Sequence, residues 1–570
     1  MKRLVELVAT LALVAGLPVG TSAATLPTWP QAHSDIRPDP SVTFGVLPNG
    51  LRYAIQHNAT PPGVVSLRLA ILAGSMQEAR DQEGLAHLLE HMAFRGSAHV
   101  PDGEAMRTLE RLGSRPGADA NAGTGPTSTV YMFDLAHNDD ASVDTGLMLL
   151  REVGSELTLD PKSLDAERPV VLAEERLRAG PNLKVSEAIA RAEFGDHPFG
   201  RAPIGRREVI ETAPVSRLRA FYDAYYRPER AVLVVAGDID PVAIEAKIKA
   251  KFFDWQGRGA PGEDPPPLNG DPGGAPVQVV AVPGVGRTSL LMLWPRAYEG
   301  QTPGKARFID ELADWIGRVA FQRRLDKMET EPNAPFGVAG GARYHIRGVA
   351  NGTSFKADTI SDPARAIDQT LRAVRQVAAY GLSQAEVDQY LESQRNQLVN
   401  QATSADTRQT RAIAGQLVGS AAQDQVDISP AQALALFDEV RPAITVARIN
   451  ARLRGTFDGA PKHLLYIAAT APDGGEPLLA KALAQASQAP VSAYAFVPAK
   501  PWSHTDFGPP GRVVERRTID DLGVTFVRFA NGLRLTVKPT DFAKDRVAVQ
   551  LRFGHGILDL PKDRETAADW

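Results

Sequence analysis

One five-residue segment could both hold a metal ion and use it. In His87-Leu-Leu-Glu90-His91 the two histidines are four positions apart, which places them on one face of a helix. Both imidazoles could then bind a single zinc ion. Glu90 lies beside them, where it could accept a proton from a water molecule. The spacing predicts a hydrolytic zinc site, and the alternative is a solvated helix face with these residues by chance.

A third ligand must come from another element, because catalytic zinc sites use three protein ligands. The chain contains no cysteine, so this ligand is expected to be a carboxylate or a histidine. Glu167 and Glu174 are two turns apart on one face of a helix predicted over 163–178. Either could point at the metal, although the spacing alone favours an ordinary charged helix face.

The elements that would position these residues form an irregular mixture of strands and helices. A tight turn at Asn49-Gly50 joins two predicted strands. Further strands and helices do not alternate strictly, which favours α+β layering over a doubly wound parallel sheet. The strands are predicted over 43–47, 51–55, 66–73 and 231–236, and the helices over 84–94, 103–112 and 163–178.

A second α+β unit follows a segment rich in Gly and Pro at 256–276, which reads as an interdomain linker. This unit is predicted to contain a strand at 277–282 and helices near 305–328, 364–380 and 383–412. A proline-bearing stretch at about 488–510 precedes a short terminal piece.

The terminal piece repeats the beginning of the chain. The run from Phe526 through Asn531-Gly532 mirrors the run from Phe44 through Asn49-Gly50, which indicates a duplicated domain. About fifty residues cannot close a core alone, so the chain is expected to be part of a larger duplicated protein. The predicted domains are 38–256 (catalytic), 277–490 (a second homologous domain), 491–515 (linker) and 516–570 (truncated start of a third).

The N-terminus has the pattern of an export signal. Lys2 and Arg3 precede an apolar stretch over 4–19, and small residues follow at 21–24. This pattern predicts a cleaved signal peptide over 1–24, a periplasmic or secreted location, and no membrane anchor after cleavage. A short buried helix or an uncleaved anchor is the alternative, although the stretch is short for a membrane span.

Composition narrows the class of partner. Hydrophobic residues make up 43% of the chain and charged residues 23%, as in soluble globular proteins. The net charge of −4 and the pI near 6.3 argue against nucleic acid or an anionic membrane as the main partner. The absence of cysteine is compatible with an oxidising compartment.

The stretch Gly84–Ser97 resembles the pitrilysin–insulysin family of inverted zincins. Within that family it is most similar to the long exported bacterial members. The resemblance implies Glu90 as general base and Zn²⁺ as cofactor, held by His87, His91 and Glu174. It further implies that Glu167 does not bind the metal itself but supports the residues that do. It also implies tandem homologous α/β-sandwich domains of the pitrilysin and mitochondrial processing peptidase type, with antiparallel sheets covered by helices.

The resemblance extends to Asn121 and Ala122, which match positions that contact the substrate backbone, but it has departures. The family usually has an aromatic residue directly after Asn-Ala and acidic residues soon after it. Here Gly123 follows Ala122, and Pro126 lies in the stretch where the acidic residues are expected. The family's fourth domain, which carries an Arg/Tyr substrate-binding pair, has no counterpart here. The adjacent Arg343 and Tyr344 lie in the second domain and are predicted to be structural.

The sequence therefore predicts a zinc metalloendopeptidase that hydrolyses peptides or unfolded polypeptides through a zinc-activated water. The first alternative is a catalytically weak or inactive peptide-binding fragment or partner subunit that needs a complementary half. The expected partners are a peptide substrate and either a complementary half or a second copy of the chain. A solute-binding protein is a further alternative, and it would need no zinc.

Overall fold

Two helix-covered sheets and a smaller third sheet organise the residues that the computed structural model describes, which are 26–496, 505–540 and 547–554. The mixed α+β fold class predicted from the sequence is confirmed. The signal peptide predicted over 1–24 lies outside the described residues. The domain boundaries stay a prediction.

The first sheet has six strands in the order β1-β2-β6-β3-β5-β4, so β4 forms one edge. Neighbouring strands are antiparallel except β2 and β6, which are parallel. Parallel pairing needs a long crossover, and the helices between β5 and β6 provide it. The strands are β1 (Val42–Val46), β2 (Arg52–His57), β3 (Val65–Ile71), β4 (Ala120–Thr124), β5 (Thr129–Leu135) and β6 (Ala231–Gly237).

Eight helices belong to this first unit. Leu67, Leu147 and Ile248 are among the apolar residues with no exposed surface that join the sheet to the helices in one core. The helices are α1 (Leu85–Met92), α2 (Glu104–Arg111), α3 (Asp140–Ser155), α4 (Pro161–Arg178), α5 (Pro181–Phe194), α6 (Arg207–Thr212), α7 (Val215–Tyr225) and α8 (Pro241–Phe252).

The second sheet has five strands in the order β7-β11-β8-β10-β9, with only β7 and β11 parallel. Its strands are β7 (Val277–Ala281), β8 (Ser289–Arg296), β9 (Val338–Ile346), β10 (Ala350–Asp358) and β11 (His463–Ala468). Its helices are α9 (Lys305–Glu329), α10 (Pro363–Tyr380), α11 (Gln384–Thr403), α12 (Thr410–Ala422), α13 (Pro430–Val440), α14 (Val446–Thr456) and α15 (Gly475–Gln488).

The terminal residues form a three-stranded antiparallel sheet of β12 (Val513–Ile519), β13 (Val524–Phe529) and β14 (Arg534–Val537). Its turn repeats the turn between β1 and β2. Asn49 Oδ1 accepts the Leu51 N–H at 3.1 Å, and Asn531 Oδ1 accepts the Leu533 N–H at the same distance. The sequence repeat is therefore also a repeat of local structure.

One helix of each unit packs against the sheet of the other unit. On α5, Ala192 packs against Leu291 and Leu465 of the second sheet, while α12 packs its apolar face on the outer face of the first sheet. The single helix predicted near 383–412 is wrong in this respect, because α11 ends and α12 starts in a new direction. Asn58 bonds across the break, since its Nδ2 donates to Arg408 O at 3.1 Å and to Thr410 Oγ1 at 2.9 Å.

A buried ion pair joins α9 to α11 in the second unit. Arg324 donates to both oxygens of Glu386 at 2.9 Å, and the two side chains are only 5% and 3% exposed. Replacing Glu386 with glutamine is expected to lower the free energy of unfolding by about 3–5 kcal/mol, because a buried guanidinium would lose its counter-charge.

An exposed pair of the same geometry is the control for this stability prediction. Arg395 contacts both oxygens of Asp438 at 2.9 and 3.1 Å, with side chains 37% and 40% exposed. Asp438→Asn is expected to lower the free energy of unfolding by less than about 1 kcal/mol. Urea denaturation of both variants measures the two losses. Equal losses in the two variants would contradict the role given to burial.

Candidate metal centre

The helix α1 carries three of the predicted site residues on a buried segment. Gly84 precedes it with φ of +102°, a conformation that favours glycine. A Cβ at this position would also lie 3.0 Å from the Cα of Gly205. Glu78 caps the helix, since its carboxylate accepts the N–H groups of Gly84 at 2.9 Å and Ala86 at 2.7 Å. These contacts fix where the helix begins, and hence which way its histidines face.

The helix α4 brings the paired glutamates to α1. Asp160 caps its N-terminus by accepting the Ser163 N–H at 3.0 Å, and Pro161 occupies the first turn. Val171 is fully buried, which anchors the middle of the helix. Glu167 and Glu174, on one face two turns apart, both reach His91.

Three ligand atoms converge on one point between α1 and α4. Glu174 Oε2 lies 3.6 Å from His87 Nε2 and 3.5 Å from His91 Nε2, distances too long for good hydrogen bonds. A tetrahedral zinc ion with bonds of about 2.0–2.2 Å separates its ligand atoms by about 3.3–3.6 Å. The donor set of two imidazoles and one carboxylate therefore fits zinc in both chemistry and spacing.

Glu167 supports the site from the far side of His91. Its Oε1 lies 2.8 Å from His91 Nδ1, which leaves the opposite ring nitrogen facing Glu174. Burial alone would lower the pKa of His91, but the hydrogen bond and charge of Glu167 outweigh it and raise that pKa. The same hydrogen bond lowers the pKa of Glu167. A carboxylate on the far nitrogen of a ligand histidine orients the ring and increases its basicity.

His87 is held in the neutral form. Burial, followed by the neighbouring His91, lowers the pKa of His87 to about 4. Its Nδ1 is buried without a hydrogen-bond partner. A neutral imidazole is the form that binds a metal, so His87 is ready as a ligand across the neutral pH range.

Glu90 contacts the edge strand of the first sheet. Its carboxylate is buried, with 9% of the residue exposed, and Oε2 accepts the Thr124 hydroxyl at 2.6 Å. Burial raises the pKa of Glu90, and the hydrogen bond from Thr124 opposes that rise. The result is a more basic carboxylate beside the ligand atoms, held in one orientation.

The predicted substrate-binding residues lie on the edge strand β4. Ala120 directs its backbone away from β5, since its N–H donates to Arg115 O at 3.1 Å and its C=O accepts the Gly117 N–H at 2.8 Å. Strand alternation places the N–H and C=O of Ala122 on the same open edge. Asn121 Oδ1 accepts the Ala122 N–H at 2.9 Å.

The structure thus brings together Glu90 and the four predicted metal-site residues, with Asn121 and Ala122 on the adjoining edge. Sequence reasoning missed Thr124, Glu78 and Arg178, of which the last contacts Glu174 Oε1. Thr124 could have been found from alternation, because it lies two positions beyond Ala122. Glu175, the residue next to Glu174, pairs with Arg207 instead of facing the histidines.

Comparison with known proteins decides the family. Residues 53–205 match the family "Insulinase (Peptidase family M16)", and residues 213–394 match "Peptidase M16 inactive domain". These two matches together cover more than half of the chain. The chain belongs to the insulinase family of peptidases. The pitrilysin–insulysin resemblance predicted from the sequence is confirmed.

This insulinase-family chain is 25% identical to the probable zinc protease PqqL of Escherichia coli over 99% of its own length and 59% of that protein. It is also 37% identical to the probable zinc protease PqqL of Haemophilus influenzae, over 37% of this chain and 23% of that one. The chain therefore spans only part of the length of these relatives.

The solved structures show the same fold. The crystal structure of the periplasmic protease PqqL from Escherichia coli matches 93% of this chain and 59% of that chain, at 20% identity and a TM-score of 0.72. A structure of the first half of that protease matches 81% of this insulinase-family chain and all of the half, at 22% identity and a TM-score of 0.71. Among the described residues, no helix is long and apolar enough to cross a membrane.

Proposed function

We propose that this chain is the zinc-binding part of a metalloendopeptidase that cleaves peptides or unfolded polypeptides. The observation that supports this most strongly is the convergence of His87, His91 and Glu174 on one point beside Glu90. Membership of a peptidase family and two relatives named as probable zinc proteases support the same reaction class.

His87, His91 and Glu174 would hold the zinc ion, and Glu167 would orient His91. When bound, zinc would polarise the scissile carbonyl and make a water molecule more acidic. Two imidazoles and a carboxylate also bind iron in some oxygenases. The buried base Glu90 next to the ligands is what a hydrolytic site needs, and it favours zinc.

Glu90 would act as the general base. Its carboxylate would accept a proton from the attacking water and then deliver it to the amine of the leaving peptide. Thr124 would keep the carboxylate aimed at the reacting atoms, because its hydroxyl holds one oxygen at 2.6 Å. The raised pKa of Glu90 brings its basicity closer to neutral pH.

The open edge of β4 would bind the substrate as an added strand. Main-chain hydrogen bonds to Ala122 would hold an extended peptide with little dependence on its sequence. Asn121 would exchange its contact with the Ala122 N–H for one with the peptide backbone. Because β4 also carries Thr124, this binding mode would place the peptide next to Glu90.

The alternative function is peptide binding with weak or no turnover by this chain alone. The chain spans 59% of Escherichia coli PqqL, and a structure of that protease's first half exists as a separate chain. A complementary half could therefore be required. We also propose export, from the residue pattern over 1–24 and from the description of that PqqL as a periplasmic protease.

Turnover by the purified, zinc-loaded chain tests the proposal. A fluorescence-quenched unfolded peptide is the substrate, assayed with and without a chelator, and then with any polypeptide that supplies the remaining domains. Chelator-sensitive cleavage under either condition is the expected result. Tight peptide binding without cleavage under both conditions would favour the binding alternative.

Removing the Thr124 hydroxyl is expected to slow the reaction without weakening substrate binding. A hydrogen bond to a charged group is worth roughly 1.5–3 kcal/mol, so Thr124→Val should lower kcat about tenfold or more. KM and zinc content should stay unchanged, because Thr124 contacts neither the ligand atoms nor the edge groups of Ala122. Thr124→Ser keeps the hydroxyl and should restore kcat, whereas a valine variant with normal kcat would contradict the role.

A further inference from the structure

A large cavity lies in the second unit, between its sheet and the helices that cover it. Its volume is about 800 Å³, within the range of ligand-binding sites. Sheet residues, the N-terminal half of α9, the end of α14 and the loop at 299–302 form its walls. The proposed peptidase reaction makes no use of this cavity.

Charged side chains line the cavity, and two of its partly exposed carboxylates, Asp310 and Asp314, already pair with arginines of the fold. Asp310 contacts Arg448 at 2.8 Å and Arg452 at 3.1 Å. Asp314 accepts a hydrogen bond from Arg452 Nε at 2.8 Å. Arg448 and Arg452 of α14 are therefore already paired with the acidic residues of α9.

Two further arginines at the end of the sheet lack such partners. Arg343 reaches Asp314 only at 4.0 Å, and no carboxylate of the described residues lies within 4.0 Å of Arg296. Arg296 instead donates to the backbone oxygen of Thr456 at 2.7 Å. Five arginines and four carboxylates line the cavity, Glu299 and Glu311 among the latter, so its lining has one more positive than negative group.

The sheet register places these two arginines together. Arg296 on β8 is opposite Asn351, and Arg343 on β9 is opposite Thr353, two residues along the same strand β10. Side chains two positions apart share one face of a sheet, so both arginines project into the same cavity. Burial and then the nearby charge of Arg343 lower the pKa of Arg296, while the carboxylates of Asp458 and Asp314 oppose that fall.

We propose that this cavity binds a carboxylate of the peptide substrate between the Arg296 and Arg343 guanidinium groups. The inference rests on the proposed function, because it takes the ligand to be a peptide. A guanidinium donates two parallel hydrogen bonds to a carboxylate, and an anion would also relieve the repulsion between the two arginines. The cavity would then favour peptides with an acidic segment. Arg343, predicted from the sequence to be structural, becomes a specificity residue.

Peptide binding, measured without turnover, tests the inference. Two fluorescein-labelled unfolded peptides of equal length are compared by anisotropy, one with a pair of glutamates and the other with glutamines in their place. The Glu90→Gln chain is used so that neither peptide is cleaved. The double variant Arg296→Gln/Arg343→Gln is compared with Arg287→Gln, which removes an exposed arginine outside the cavity.

The double variant is expected to bind the glutamate peptide about tenfold or more weakly, with binding of the glutamine peptide unchanged. Arg287→Gln should alter neither. If the double variant fails to fold, Arg343→Gln alone provides the test, since Arg343 makes the looser contact. An equal loss for both peptides, or no loss, would overturn the inference.

Free glutarate separates a peptide site from a site for small carboxylates. Displacement of the labelled peptide by glutarate at a concentration near the peptide's own Kd would assign the cavity to a small anion and overturn the inference. If the Glu90→Gln chain prefers the glutamate peptide but the unmodified zinc-loaded chain cleaves neither peptide, the proposed function alone is overturned. Cleavage with no such preference would overturn this inference alone.

Discussion

Replacing Glu90 with glutamine is expected to lower peptide hydrolysis about 10³-fold or more, with zinc still bound. The amide has the same size as the carboxylate, and its oxygen can still accept the Thr124 hydroxyl. It cannot take a proton from water. Because Glu90 is not among the three converging ligand atoms, the metal should remain in place.

The measurement combines kcat/KM for a quenched peptide with zinc content by atomic absorption. Glu110→Gln is the matched control, since it makes the same chemical change on an exposed position of α2. More than a tenth of normal activity in the Glu90 variant would assign the base to another group. Loss of zinc would instead show that Glu90 helps to hold the metal.

Replacing Glu174 with glutamine is expected to weaken zinc binding by more than about 100-fold. Even partners outside the ligand set typically contribute 10–100-fold to metal affinity, and a ligand should contribute more. The variant would retain two imidazoles and a neutral amide, which leaves the ion without the negative charge of the site. Hydrolysis should be lost together with the metal.

The neighbouring Glu175→Gln is the control for this prediction. It removes the same charge one residue away, from a side chain that pairs with Arg207 instead of facing the histidines. Competition with a chromophoric zinc chelator gives the affinity of each variant. Equal affinities for the two variants would remove Glu174 from the proposed ligand set.

Zinc affinity should also fall as the pH is lowered, and the pKa of His91 sets the pH at which the fall begins. The folded-state pKa of His91 is raised by Glu167, so the ring becomes protonated as the pH falls through that value, above its ordinary 6.5. His87, with a pKa of about 4, stays neutral over this range. Below the pKa of His91 the affinity should therefore fall about tenfold per pH unit, as expected for a single proton.

Much of the candidate site could be predicted, because three of its residues lie within one turn and a half of a single helix. The spacing of His87, Glu90 and His91 depends only on helix geometry, and α1 forms where the apolar pattern predicts it. The turn at Asn49-Gly50 is local in the same way, and it recurs at Asn531-Gly532 with the same hydrogen bond.

The roles of the paired glutamates could not be predicted from spacing. Glu167 and Glu174 share one helix face, and residue patterns alone left either one free to face the metal. The family resemblance favoured Glu174. The packing of α4 on α1 places Glu174 on the Nε2 side of His91 and Glu167 on the Nδ1 side, and that difference depends on the relative position of two helices.

The contacts that join distant segments of the chain could not be predicted from residue patterns either. The hydroxyl of Thr124 meets Glu90 only because the edge strand β4 packs beside α1. The exchange of α5 and α12 between the two sheets, which breaks the predicted helix near residue 404, has no local signal.

The sequence by itself determined the helix face that carries the candidate ligands, the mixed α+β class and the family, because each depends on short-range periodicity or on extended similarity. Only the tertiary structure decided which oxygen faces which ring nitrogen, what holds Glu90, and that Arg296 and Arg343 of the second unit line one cavity. Those relations join residues far apart in the chain. They are set by the side-chain packing between helices and sheets, which no short pattern of residues records.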